Sequence, residues 1–136
     1  MKYMLDTNIC IALIRQKPAA LLGQLTSHEP GEVGISTITL AELVHGAEKS
    51  ALSGQDLSAL QHFLLPLELA DFDQQAALAY GKIRAELERA GRRIGSLDLL
   101  IAAHAMGLGV VLVTNNVGEF MRIDGLTLED WLTKAG

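Results

Sequence analysis

Four carboxylates in this 136-residue chain fall where strand ends would gather them. Asp6 directly follows the apolar run Tyr3-Met4-Leu5. Glu42 lies in the first turns of a helix that follows the short β-branched run Val33–Ile35. Asp98 opens the helix that precedes the apolar run Val110–Val113, and Glu119 comes a few residues after that run. The polar triplet Thr114-Asn115-Asn116 follows it directly. Asp98 is set among Leu97, Leu99, Leu100 and Ile101, and Asp6 ends an apolar run. A buried carboxylate is costly unless it is paired or binds a cation. Several carboxylates converging without a cation repel and raise one another's pKa. A hard divalent ion that prefers oxygen ligands, Mg²⁺ or Mn²⁺, resolves that conflict.

Each acid also has a purely structural role open to it. Asp6 suits the N-cap of a helix carrying Ile9, Leu13 and Ile14. Thr39-Leu40-Ala41-Glu42 matches a capping box, which would tie Glu42 to a helix start. Asp98, two residues after Ser96, sits in a first turn, where the helix dipole favours a carboxylate by about 0.3–1 kcal/mol. Glu119 alone reads as a solvated loop residue. The joint pattern is what favours a metal site over four separate roles.

Other chemistry is poorly supported. His28, His45, His62 and His104 lack a paired zinc spacing and read as structural or surface residues. The lone cysteine, Cys10, excludes an internal disulfide framework and a Cys-based zinc site, and reads as a core filler. Gly107-Leu108-Gly109 precedes a strand, so it is a turn rather than a phosphate loop. No Gly-x-Ser-x-Gly elbow occurs. Five of the eleven Lys and Arg are Lys82, Arg84, Arg89, Arg92 and Arg93. Interspersed Glu86 and Glu88 make Lys82 and Arg84 a solvated helix face with i,i+4 pairs. Arg92 and Arg93 border the Asp98 helix, where phosphate contacts are an equal alternative.

Alternating elements must position these residues. Strands are expected at Tyr3–Leu5, Val33–Ile35, Leu67–Leu69 and Val110–Val113, with a last short one within Ile123–Leu128. Helices are expected after Asp6 as far as Pro18, over Ala19–Leu25, after Ser36, over Asp56–Leu65 and over Asp73–Ala90. A further one opens at Gly95-Ser96, with Leu97, Leu100, Ile101 and His104 on one side. Gly54 is read as loop, and Trp131 lies in the tail. Val110–Val113 is apolar on both faces, as in the middle of a parallel sheet. The fold class is therefore α/β, a sandwich with a parallel sheet, and ligands in such folds sit beyond the carboxyl ends of the strands.

Composition agrees. The length suits one domain, read as 1–136. With 49% apolar and 20% charged residues the chain fills a core, and with 4% aromatics that core is mostly Leu, Ile, Val and Ala. No apolar run approaches the roughly 18–20 residues of a membrane span. Asp6 comes too soon for a signal peptide's apolar region. A cytoplasmic location is expected. A net charge of −5 argues against a nucleic-acid binder held by bulk charge, but not against an enzyme that holds metal with clustered acids.

Four segments, in order, resemble the PIN-domain ribonucleases, and more closely the VapC toxins of type II toxin–antitoxin systems. They are Met-Leu-Asp6-Thr7-Asn8, Ser36-Thr-Ile-Thr39-Leu-Ala-Glu42-Leu with Gly46, Ile94-Gly-Ser-Leu-Asp98-Leu-Leu-Ile-Ala-Ala-His104-Ala, and Val113-Thr114-Asn115-Asn116 with Glu119-Phe120. The resemblance runs from about Lys2 to Trp131. It implies a PIN-like three-layer sandwich, with a small, mostly parallel sheet between helices, and a metal-dependent endoribonuclease. It also implies a homodimer and a cognate VapB-like antitoxin that inserts a peptide over the active site. Carried over, Asp6, Glu42 and Asp98 match the three core acids. Many relatives carry a fourth acid at the position of Asn116; here it is an amide, and Glu119 is the nearest substitute. Thr7 and Thr114, with Asn115 and Asn116, match supporting polar residues. Arg93 and Ser96 stand where relatives often have proline.

On this reading Asp6 and Asp98, with Glu42, hold Mg²⁺ or Mn²⁺, and hydrolysis leaves 5′-phosphate and 3′-hydroxyl ends. Structured RNA is the substrate, transfer RNA the leading class, with Arg92 and Arg93 contacting its backbone. Two rivals remain. A PIN-fold interaction protein with weak or no catalysis would account for Asn116. An aspartyl-nucleophile phosphatase also places Asp after its first strand, but normally needs a second Asp where this chain has Asn8.

Overall fold

The computed structural model describes residues 1–16 and 18–132; residues 133–136 of the expected domain lie outside them. Five strands form one sheet in the order β3-β2-β1-β4-β5: β1 Tyr3–Leu5, β2 Val33–Ser36, β3 Glu68–Ala70, β4 Val111–Val113 and β5 Leu128–Glu129. Every pairing is parallel, with Tyr3 beside both Val33 and Val111, and Leu5 beside Val113. Parallel strands need crossovers, and helices supply them: α1 Thr7–Ile14, α2 Ala19–Thr26, α3 Thr37–Glu48, α4 Ser53–Leu64, α5 Gln74–Arg89, α6 Ser96–Leu108 and the single turn α7 Val117–Phe120.

The two faces of the sheet carry separate cores. Successive strand residues point to opposite faces, so Met4 and Leu112 pack with Leu99, Ile101, Leu87 and Phe120 under α5, α6 and α7. Leu5 and Val113 pack with Ile9, Leu13, Ile35 and Leu43 under α1 to α4. Helices, sheet and helices make the three layers expected, and the sheet is wholly parallel.

Several boundaries differ from the reading of the sequence, each for a local reason. Gly54 lies inside α4, which starts at Ser53. The last strand is Leu128–Glu129, at the far end of Ile123–Leu128, because β5 pairs Leu128 with Leu112. Leu97 is 47% exposed and Ala102, Ala103 and Ala105 are buried instead, because α6 is covered by α5 and the sheet together. Trp131 is fully buried, stacked on the His28 ring at 5.3 Å and beside Tyr3 at 5.6 Å. No helix among the described residues is long and apolar enough to cross a membrane.

Candidate active site at the carboxyl edge of the sheet

The chain builds β1, β2 and β3 to one side, then returns to lay β4 and β5 on the other. The order therefore reverses between β1 and β4, and the crevice beyond their carboxyl ends is the usual ligand position in such sheets. Asp6 and Thr114 are the first residues past those two ends. Asp6 backbone N–H donates to the Val113 carbonyl at 3.0 Å, which holds the two ends together.

Asp6 is also the N-cap of α1, its Oδ1 accepting from Ile9 N–H at 2.9 Å. Cap and site residue are thus one group, since the same Asp6 also lines the groove beyond the strand ends. Asp6 is only 3% exposed. Burial raises its pKa, the Thr114 hydroxyl and the Ile9 amide oppose that, and the charges of Glu42 and Asp130 add to it.

Glu42 reaches the crevice from the second turn of α3. The capping box does not form: Ser36 caps α3, its Oγ accepting from Ile38 N–H at 3.0 Å. The helix starts at Thr37, so Thr39 is already interior. Glu42 Oε1 instead accepts from the Thr7 hydroxyl at 2.7 Å, across 35 residues. Thr39, fully buried, lies 3.4 Å from the same hydroxyl.

Asp98 sits in the first turn of α6. The helix ends beside the start of β4, so it runs antiparallel to the strand and its beginning lies at the carboxyl edge. Burial, then the charges of Glu119, Asp6 and Glu42, push the Asp98 carboxyl up to about 6. Glu119 lies in α7 rather than in a loop, with Oε1 accepting from Gly95 N–H at 2.8 Å and Oε2 from Asn116 Nδ2 at 2.5 Å. Asn116 N–H in turn donates to Thr114 Oγ1 at 2.9 Å. Asn115 is exposed beside this network.

A groove of about 360 Å³ is lined by Asp6, Thr7, Glu42, Asp98 and Asn116, together with Asn8, Ile11, His45, Gly46 and Lys49. His45 and Lys49 are additions to the residues expected there. They follow Glu42 by three and seven positions, the spacing of one helix face, which is the signal that marks them. Arg92 and Arg93 lie outside the groove, on the loop before α6. Among the described residues none of the four carboxylates forms an ion pair with Lys, Arg or His. Nor are three His, Cys, Asp or Glu side chains arranged there to hold an ion by themselves. All-oxygen donors with desolvated, mutually repelling charge fit a hard cation that keeps part of its water shell, as Mg²⁺ does with one or two carboxylates.

Cys10 and His104 are structural. Cys10 is fully buried, and burial pushes its thiol well above the usual range. His104 is buried with Nδ1 2.8 Å from Ser36 Oγ, and burial lowers its pKa. Arg84 and Glu88 form the expected i,i+4 pair at 3.4 Å.

Comparison with known proteins places the chain in a family. Residues 3–126 match the PIN domain family model. A relative from Shigella flexneri, named tRNA(fMet)-specific endonuclease VapC, is 45% identical over 131 residues, covering 96% of this chain and 98% of its own. The DNA-bound VapBC crystal structure from Salmonella typhimurium superposes with a TM-score of 0.92 at 46% identity, covering 96% of this chain and 98% of that one. VapBC2 from Rickettsia felis, bound to a DNA fragment from its promoter, gives 0.89 at 44% identity, over 96% and 99% of the two chains.

Proposed function

The chain belongs to the PIN domain family, among the VapC ribonucleases, and we propose that it is a metal-dependent endoribonuclease toxin acting on structured RNA. Transfer RNA is the leading substrate class, since the Shigella relative is named for one. The observation that carries the reading is the convergence of Asp6, Glu42 and Asp98 at the strand-order reversal, with Glu119 beside Asp98.

Asp6 and Asp98 are the residues that would hold Mg²⁺, or Mn²⁺ in its place. The ion supplies a water of lowered pKa and neutralises charge on the phosphate. The chain's own groups do the positioning. Thr7 donates to Glu42 and so orients that carboxylate toward the groove. Thr114 hydrogen-bonds Asp6 and accepts from Asn116, which ties the β1 and β4 ends to one geometry. Glu119, bridging Gly95 and Asn116, holds the start of α6 against α7 and adds its charge to the Asp98 side. It is the acid in the place that Asn116 does not fill. Arg92 and Arg93 contact the RNA backbone outside the groove.

The Salmonella and Rickettsia neighbours are VapBC assemblies, which supports a VapB-like antitoxin as partner here. A homodimer in the cytoplasm completes the reading. The test is cleavage of total cellular RNA by purified, antitoxin-free protein with Mg²⁺ or Mn²⁺, beside Asp6→Asn and Asp98→Asn. Wild type alone should give discrete fragments with 5′-phosphate and 3′-hydroxyl ends, and each variant should fall about 10²-fold or more in rate. Cyclic phosphate ends would sink the mechanism. No cleavage together with no calorimetric Mn²⁺ binding would leave a PIN-fold interaction protein.

A further inference from the structure

We infer that a second cleft, beside the carboxylate groove, is a nucleotide subsite for the RNA strand. It measures about 630 Å³ and lies between α5 from Tyr80 onward, the loop before α6 and the first turn of α6. Its floor is apolar: Leu87 and Leu99 are buried and Ile94 half-buried. Its wall carries the Tyr80 ring, with the Arg84 guanidinium carbon 5.9 Å from the ring centroid. Arg84 Nη1 donates to Tyr80 Oη at 2.9 Å and its Nε to Glu88 Oε2 at 3.4 Å, which links ring, guanidinium and carboxylate along the exposed side of α5.

The rim is cationic, and its arginines divide by task. Arg92 Nη1 donates to the Arg122 carbonyl at 3.3 Å, and Arg122 Nη1 donates to the Arg93 carbonyl. This reciprocal clasp fastens the loop to the segment after α7. Arg93 contributes only its backbone to the clasp. Its guanidinium has no hydrogen bond or ion pair among the described residues, and it lines the cleft with the exposed Ser96. Three arginines against one carboxylate, Glu88, make the cleft the opposite of the groove next door.

An aromatic ring with a held guanidinium plane suits one base by stacking, and an unengaged guanidinium beside a hydroxyl suits its phosphate. The two sites adjoin. Both are built on the start of α6, where Ser96 lines the cleft and Asp98 the groove, and Gly95 just ahead of them donates its N–H to Glu119. A strand with one phosphate at the carboxylates would pass the start of α6 to place another of its nucleotides at the cleft. The inference rests on the proposed ribonuclease reading and adds where the strand is gripped.

The test is RNA binding in EDTA, so that nothing is cut, by fluorescence anisotropy of a labelled structured RNA across a salt series. It uses the wild-type chain, Arg93→Gln and Tyr80→Leu. Arg93→Gln, at an exposed position, should weaken binding about three- to tenfold at low salt and flatten the salt slope by about one unit, as when one fewer phosphate is neutralised. Tyr80→Leu should weaken binding with the slope unchanged. Wild-type affinity and slope in Arg93→Gln would overturn the subsite. So would a change in the protein's oligomeric mass or antitoxin binding with RNA affinity intact, which would make the cleft a protein interface. A wild type that cuts RNA while both variants bind normally ends this inference alone; a wild type that neither binds nor cuts RNA ends the parent reading as well.

Discussion

Asp98 shows how one side chain serves two conflicting demands. Without a cation its carboxyl is driven up to about 6 by burial and by Glu119, Asp6 and Glu42. The sign of the consequence is definite. A carboxyl with a raised folded-state pKa leaves stability intact below the unfolded value near 4, and stability falls as pH rises towards and through about 6. Asp98→Asn should therefore raise the melting temperature of the metal-free protein more at pH 8 than at pH 4.5, while removing cleavage. Thermal melts at the two pH values check this; an equal effect at both would show that Asp98 does not carry the repulsion. Added Mn²⁺ should stabilise wild type, by about 2.7 kcal/mol at a hundred times its dissociation constant, and should stabilise Asp98→Asn far less. At this scale the sequence is legible for Asp6 and Asp98, because an acid directly after an apolar run, or at a helix start within one, is locally unusual. Glu42 is obscured by a local match: Thr39 is three residues ahead of it, and only the Ser36 cap shows that no box forms there.

Among the elements, β2 is closely packed at Gly34. A Cβ on Gly34 would collide with the Glu68 carbonyl and the Met1 side chain, because β3 lies against β2 at that point. Gly34→Ala should cost about 1–3 kcal/mol of stability by overpacking, read from chemical denaturation. An unchanged midpoint would mean that β3 shifts without penalty. The long elements are easy to read: Asp73 caps α5, with Oδ1 accepting from Ala76 N–H at 3.0 Å, and Gly91 follows it at φ 68°. Short pieces are not. β5 is two residues long and is defined by its partner β4, so no local pattern sets its limits. The buried face of α6 is hard to read for a related reason. A helix packed on both a sheet and another helix is buried nearly all round, and periodicity then says little about which side faces in.

The whole molecule is acidic, at −5, yet its charge is sorted. The groove gathers Asp6, Glu42 and Asp98, while Arg84, Arg92 and Arg93 line the cleft beside it. A partner that inserts a basic side chain among the carboxylates would both satisfy them and exclude a metal ion. The complex with a VapB-like antitoxin should accordingly be inactive on RNA, with cleavage restored when the antitoxin is removed by proteolysis. Full activity of the intact complex would show that the partner binds elsewhere.

The sequence by itself determined the alternation of strands and helices, the wholly apolar interior strand and the order of the acids along the chain. Those are local properties, written in runs and spacings a few residues long. Tertiary structure alone decided that Glu42 answers to Thr7, that Glu119 ties Gly95 to Asn116, that Trp131 is buried against His28, and that Arg93 differs from Arg92. Most of these pairs join residues far apart in the chain, and even the Asn116–Glu119 hydrogen bond has its geometry set by the strand ends. All of them depend on the strand order β3-β2-β1-β4-β5, which brings distant segments to one edge of the sheet.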